Sequence, residues 1–197
     1  LEVVHLLKKE GIHLKYLDIG GGFGVPYTGE EMEIQALADA VLPLVKNTGL
    51  RLVLEPGRSI VGEAGVLVTR VQAVKVSGSR TFVITDAGMT ELIRPSHYGG
   101  VHPVQPVELR EEREVRRLDV VGPICETGDF LAQDRELPLP RAGELLAIGI
   151  AGAYGFTMAS NYNGRPRPPE VMVDSGEVHL VRRRESYEDL VRGEVIP

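Results

Sequence analysis

The sequence has 197 residues, of which 43% are hydrophobic, and it carries a formal net charge of −6. This length fits one medium domain or two small ones, and the acidic balance argues against a nucleic-acid partner. No apolar run is long enough to span a bilayer, and the single cysteine, Cys125, excludes an intrachain disulfide and fits the reducing cytoplasm.

The first 64 residues predict helices that alternate with short strands. Apolar residues at helical spacing are followed by an apolar run at 14–19, which is typical of a buried strand. A second helical pattern follows segment 28–31 (TGEE), where Pro43 is expected to kink or shorten the helix, and a second strand is predicted at 50–54. Short connections between continuous apolar strands favour a parallel α/β unit.

From about residue 65 the pattern changes to short strands separated by Pro and Gly, which is typical of an all-β domain. The segment 175–177 (SGE) lies between two apolar runs and predicts a hairpin. The predicted strands are 65–76, 81–85, 104–107, 115–121, 145–150, 171–174 and 178–182. We therefore expect a β-sandwich or β-barrel over residues 65–197.

Two motifs follow the two strands of the α/β unit. The segment 20–24 (GGGFG) offers bare backbone N–H groups that suit an anion such as a phosphate, although a flexible turn explains it equally well. It matches neither the dinucleotide fingerprint nor a P-loop. The segment 55–58 (EPGR) places a carboxylate, Glu55, and a guanidinium, Arg58, on a Pro-Gly turn, and a surface ion pair is the simpler alternative. Two consecutive strand ends with this chemistry favour part of a cofactor site.

A third motif, 125–129 (CETGD), begins where a predicted β-domain strand ends. The Cys125 thiol is able to exchange a proton with a carbon acid. The carboxylates of Glu126 and Asp129 are suited to a substrate ammonium. The alternative for Cys125 is a small buried apolar residue, the commoner role of a lone cysteine.

Two further motifs carry an arginine and tyrosines. Arg94 and Tyr98, in the segment 93–98 (IRPSHY), are candidates for gripping a carboxylate, although a solvated arginine is the simpler reading. Tyr154 lies among small residues that leave room for a planar group, and a core tyrosine is the alternative. No spacing of His, Cys and Asp predicts a metal site.

These motifs occur in one order along the chain, and the segment 165–168 (RPRP) closes the series. In that order they resemble the diaminopimelate decarboxylase family, pyridoxal-phosphate enzymes of the alanine-racemase-like fold. The resemblance runs from near Leu1 to the C-terminal end. It implies that residues 1–64 are the last βα units of a (β/α)8 barrel and that residues 65–197 form a C-terminal β domain.

The resemblance also implies a cofactor site for pyridoxal 5'-phosphate. Gly21 and Gly22 would bind the phosphate, and Glu55 would keep the pyridine nitrogen protonated, which makes the ring an electron sink when CO₂ leaves. The turn residues Pro56 and Gly57 belong to the same cofactor-binding motif. Arg58 and Tyr154 are implied to contact both cofactor and substrate.

The same resemblance implies a substrate site for meso-diaminopimelate, which the family converts to L-lysine and CO₂. Arg58, Arg94 and Tyr98 would hold the distal end of the substrate, and Glu126 its distal ammonium. Cys125 would protonate the carbon that loses CO₂. In the family, Cys125 and Glu126 reach into the site of a partner subunit, so a homodimer is implied.

The family's Schiff-base lysine lies upstream of the matched region, and none of the five lysines here has its context. We therefore expect the chain, which begins at Leu1 without an initiator Met, to be the C-terminal half of the enzyme and inactive alone. The alternatives are a decarboxylase of ornithine or arginine, a non-catalytic homologue that binds a partner, and an independent β module. Glu126 and the pair of Arg94 and Tyr98 favour a substrate with a distal amino-acid group over a bare amine.

Overall fold

The computed structural model describes residues 1–25, 33–110 and 112–195. The segment 28–31, expected to precede the second helix, lies outside these residues. By its internal contacts the chain divides into two compact units, Leu1–Gly62 and Glu63–Pro197. None of the helices in the described ranges has the length and apolar character needed to cross a membrane.

The first unit alternates helices and strands, as the sequence predicts. Its elements are α1 (Glu2–Lys9), β1 (Tyr16–Asp18), α2 (Ile34–Lys46), β2 (Arg51–Val53) and α3 (Gly57–Val61). Strand β1 pairs in parallel with β2, with Leu17 opposite Leu52. The expectation that Pro43 shortens the second helix is wrong, because α2 continues through it to Lys46. Helix α3 was not predicted, since its five residues are too few to show a period.

The second unit contains most of the strands. Its elements are β3 (Leu67–Ser77), β4 (Arg80–Thr85), α4 (Arg94–Tyr98), β5 (Val104–Pro106), β6 (Val115–Val121), β7 (Phe130–Pro138), β8 (Leu145–Ile148), β9 (Glu170–Asp174), β10 (Glu177–Arg182) and α5 (Tyr187–Val191). Six strands form one sheet in the order β5-β8-β3-β4-β6-β7. Strands β9 and β10 form the predicted hairpin as a separate antiparallel pair.

Strand β7 was missed by the sequence prediction. Its middle carries charged residues, and Asp134 has a left-handed backbone (φ 54°). The pairing of β6 with β7 shifts register at irregular positions, so the period of two that identifies a strand is broken. Two neighbouring residues, Leu131 and Ala132, are both buried as a result.

The core of the second unit is formed by apolar side chains from five strands of the sheet and the loop after β4. They are Val71, Val83, Leu92, Leu118, Val120, Leu131, Ala132, Leu146 and Ile148. Burying a side chain of this size stabilises the fold by roughly 1.5–3 kcal/mol. This core fixes the sheet from which the site loops extend.

The strand directions gather three loops at one edge of the sheet. Strand β4 is parallel to β6, and β3 is antiparallel to both β4 and β8, so β4, β6 and β8 all run the same way. Their carboxyl ends therefore lie at a common edge. The segments that follow them contain the motifs at 93–98, 125–129 and 151–156.

Candidate cofactor and substrate site

In the first unit, the glycine-rich turn and the EPGR turn are held against each other. The parallel ladder continues beyond the strands, because Ile19 donates its N–H to the Val53 carbonyl (3.2 Å) and Glu55 to the Gly20 carbonyl (2.8 Å). A Cβ atom at Gly21 would overlap the carbonyl oxygen of Glu55. Only glycine therefore allows the two turns to approach this closely.

The glycine turn has the chemistry of an oxyanion cradle. Gly20 and Gly22 have left-handed backbones, with φ of 73° and 79°. The Gly20 N–H is donated to the Asp18 carboxylate (2.8 Å), whereas within the described part of the chain the N–H groups of Gly21 and Gly22 meet no protein acceptor. Such successive N–H groups suit a phosphate. The exposed Glu55 carboxylate beside them suits a basic ring nitrogen, so these residues fit pyridoxal phosphate.

In the second unit, Arg94 and Tyr154 come together. Arg94 is the first residue of α4 and only 7% exposed, and its guanidinium carbon lies 5.8 Å from the centroid of the Tyr154 ring. Tyr154 has a left-handed backbone (φ 60°), a costly conformation for a tyrosine. The chain is tightly packed next to it, because a Cβ at Gly155 would overlap the Ala151 carbonyl oxygen. Tyr98 is more exposed, and its ring meets the His97 ring edge-on at 4.5 Å.

His102 lies in the same region as Arg94 and is buried. Its Nδ1 lies 3.0 Å from the Gly149 carbonyl oxygen. Burial lowers the pKa of His102, and the charge of Arg94 lowers it further, against the opposing effect of the Gly149 hydrogen bond. His102 is therefore neutral near pH 7 and adds no second positive charge beside Arg94.

Asp129 has a different role from the ammonium ligand considered on sequence grounds. Its side chain is buried, and its two oxygens accept N–H groups of Met89 and Ile124, both at 2.7 Å. A Cβ on Gly88 or Gly122 would overlap its carboxylate. Asp129 therefore joins the loop after β4 to the loop after β6 and is not directed at a ligand.

The loop held by Asp129 presents Cys125 and Glu126 to solvent. The Tyr162 hydroxyl donates to the Glu126 carboxylate at 3.4 Å. Tyr162 was not selected as a site residue from the sequence, because its partner is 36 residues away in the chain. The loop also adjoins α4, since a Cβ on Gly128 would lie 3.5 Å from the Ser96 Cβ.

The RPRP motif supports the same edge of the sheet. Arg165 donates to the Asp86 carbonyl (2.6 Å) and lies 3.4 Å from the Glu91 carboxylate. Glu91 in turn accepts the Gly88 N–H at 2.8 Å. Arg165 therefore fixes the segment that leads from β4 to Arg94.

These features define an α/β segment with an anion-binding turn, followed by a β unit with a charged, tyrosine-lined edge. Residues 13–152 match the sequence model of the family described as pyridoxal-dependent decarboxylase, C-terminal sheet domain. The chain belongs to this family, which confirms the resemblance found in the sequence.

Similar proteins carry a more specific name. The diaminopimelate decarboxylase of Aquifex aeolicus is 53% identical over 187 residues, which cover 94% of this chain and 44% of that protein. That of Neisseria meningitidis serogroup A is 47% identical, over 99% of this chain and 48% of that protein. The crystal structure of the Helicobacter pylori enzyme with L-lysine superposes with a TM-score of 0.86 at 39% identity, over 97% of this chain and 47% of that one. The chain spans about half the length of the relatives it matches.

Proposed function

We propose that this chain supplies the C-terminal part of a pyridoxal-phosphate-dependent decarboxylase that converts meso-diaminopimelate to L-lysine and CO₂. The observation that carries the proposal is the close contact of the glycine turn with Glu55. This main-chain contact brings the glycine turn, proposed to bind a phosphate, next to a residue that carries a carboxylate, in a family described as pyridoxal-dependent. The parallel β1–β2 pair and its helices fit the last βα units of a (β/α)8 barrel.

The residues of the first unit bind and tune the cofactor. Gly21 and Gly22 donate backbone N–H groups to its phosphate, and the turn at Pro56 and Gly57 fixes the direction of the Glu55 carboxylate. Glu55 holds a proton on the pyridine nitrogen. When bound, the cofactor supplies a protonated ring that accepts the electron pair left behind as CO₂ departs.

The residues of the second unit bind the substrate and return the proton. Two charged groups match a distal amino-acid group: the Arg94 guanidinium suits its carboxylate, and the Glu126 carboxylate, offered from a neighbouring subunit, suits its ammonium. Tyr98 adds a phenol at the end of α4. Cys125 donates its thiol proton to the carbon from which CO₂ has left.

The arrangement of Cys125 and Glu126 fits a site shared between two copies of the protein. Both residues are exposed on a loop whose position is fixed from below by the buried Asp129. A rigid, outward-facing loop is suited to entering the site of a neighbouring subunit. We therefore propose a homodimer in which each β unit completes the partner's substrate site.

The test is CO₂ release from meso-diaminopimelate by the complete protein that contains this chain, supplied with pyridoxal phosphate. An Arg94→Met variant is expected to raise KM at least tenfold, because a bidentate charged contact is worth about 1.5–3 kcal/mol. An Arg116→Met variant is the matched control, because Arg116 on β6 forms, among the described residues, an ion pair with the exposed Glu114 alone. Absence of turnover by the wild-type protein would overturn the proposed function.

A further inference from the structure

The carboxylate of Glu185, close to the C-terminal end of the described chain, anchors a segment on the site side of the second unit. It accepts the backbone N–H of Arg167 (2.8 Å), the Arg167 Nε (2.7 Å) and Nη2, and the Asn161 side-chain amide (2.7 Å). Hydrogen bonds from Arg167 hold the pKa of Glu185 at about 2. The carboxylate is therefore charged throughout the range in which an enzyme works.

The segment 161–167 is further fixed by contacts of its own. The Asn161 side chain also donates to the Arg165 carbonyl at 2.9 Å, which closes a compact turn over Tyr162–Gly164. The Arg165 side chain donates a hydrogen bond to the Asp86 carbonyl on the loop after β4. Glu185 and Asp86 thus hold the segment at two separate points.

The residue that this turn presents to the site is Tyr162. Its hydroxyl reaches the Glu126 carboxylate at 3.4 Å, although both side chains are largely exposed. Two exposed side chains keep such a contact only when the backbone of one is held in place, because each otherwise gains rotamer entropy by leaving it. The four hydrogen bonds that the Glu185 carboxylate accepts provide that constraint.

We propose that Glu185 is a positioning residue for substrate recognition, which holds segment 161–167 so that the Tyr162 hydroxyl orients the Glu126 carboxylate. The inference rests on the proposed function, in which Glu126 binds the distal ammonium of the substrate. A preoriented carboxylate loses less freedom when the ammonium arrives. Glu185 therefore affects the affinity for the distal amino-acid group of the substrate. It does not affect the proton transfer to the carbon that loses CO₂.

The experiment is a double-mutant cycle in the complete protein with Glu185→Gln, Tyr162→Phe and the combination of both. Each single variant is expected to raise KM for meso-diaminopimelate roughly fivefold to tenfold with kcat within about twofold of wild type. Because Glu185 acts through Tyr162, the double variant is expected to match Tyr162→Phe alone. Multiplied effects in the double variant, or an unchanged KM in Glu185→Gln, would overturn the proposal.

The matched control is Glu144→Gln. Glu144 is also a carboxylate with a pKa of about 2, held by an arginine, Arg113, and by a backbone N–H from Arg141. It ties the Arg113 and Arg141 loops together and contacts neither segment 161–167 nor the loop of Glu126. Its loss is expected to lower stability and leave KM unchanged, and an equal rise in KM would show that both effects come from general loosening.

Hydrogen exchange gives a readout that does not require turnover. In Glu185→Gln the amides of Gly164 and Arg165, which close the turn onto Asn161 and Tyr162, are expected to exchange at least tenfold faster, and in Glu144→Gln they are not. Unchanged exchange in Glu185→Gln would refute the positioning role. An inactive wild-type protein would instead refute the proposed function, and exchange would still decide whether Glu185 holds the turn.

Discussion

Replacing Asp129 by asparagine tests whether its buried carboxylate holds two site loops together. The substitution preserves shape, so no cavity is formed, and the overlap of a Cβ on Gly88 or Gly122 with this side chain shows that it has no room to turn. The amide oxygen can accept from Met89 or Ile124, but not both, and the NH₂ group then faces an N–H donor. One lost bond that strands a buried N–H costs about 1–3 kcal/mol, and the weaker neutral bond adds about 1 kcal/mol.

The expected loss is therefore about 3 kcal/mol in the free energy of unfolding. With a slope of about 2–3 kcal/mol/M, this loss lowers the urea midpoint of the complete protein by about 1 M. Asp174→Asn is the control, because Asp174 is exposed on the hairpin and its carboxylate accepts, among the described residues, the Ser175 hydroxyl alone. A midpoint within 0.2 M (roughly 0.5 kcal/mol) of wild type for Asp129→Asn would refute the account of this loop junction.

Three further substitutions give independent checks. Gly21→Ala places a methyl group where it overlaps the Glu55 carbonyl oxygen. We expect urea unfolding to show a stability loss of about 1–3 kcal/mol and dialysis to show weaker retention of pyridoxal phosphate. The control Gly193→Ala, whose added methyl group meets no neighbouring atom, should show neither effect. Hydrogen bonds from Arg113 hold the pKa of Glu144 at about 2 against an ordinary 4.5, so the ionised carboxylate stabilises the fold above pH 4.5 and this stabilisation is lost as the pH falls toward 2. Glu144→Gln should therefore flatten the pH dependence of the free energy of unfolding between pH 5 and pH 2.5. An unaltered slope would contradict the pairing with Arg113. Cys125→Ser should lower kcat roughly 100-fold with little change in KM, and full activity would remove the thiol from the proton transfer.

Much of the local structure was predictable because its physical causes are local. Apolar runs, turn residues and helical spacing predicted the α/β start and the hairpin, and the motif order predicted the family. The failures involve causes that are not local in the sequence. Strand β7 was not predicted, because its bulge breaks the alternation of side chains. The sequence could not show the structural role of Asp129, because its partners Met89 and Ile124 become neighbours only when β4 and β6 pair.

The contacts that Tyr162 and Glu185 make could not be predicted either, because their partners are distant in the sequence. Tyr162 and Glu126 are 36 residues apart, and Asn161 and Glu185 are 24 residues apart. Neither pair forms a recognisable spacing motif. The sequence shows which chemical groups are present, whereas the shared edge of β4, β6 and β8 decides which of them meet.

The most direct test of the proposed function is a competition experiment with the complete protein and pyridoxal phosphate. Equal concentrations of meso-diaminopimelate, ornithine and arginine are mixed, and the consumption of each substrate is followed together with the release of CO₂. The charges of Arg94 and Glu126 predict that diaminopimelate is consumed first, with one L-lysine formed for each CO₂. Preferential consumption of ornithine or arginine would contradict the assignment of this edge to a distal amino-acid group.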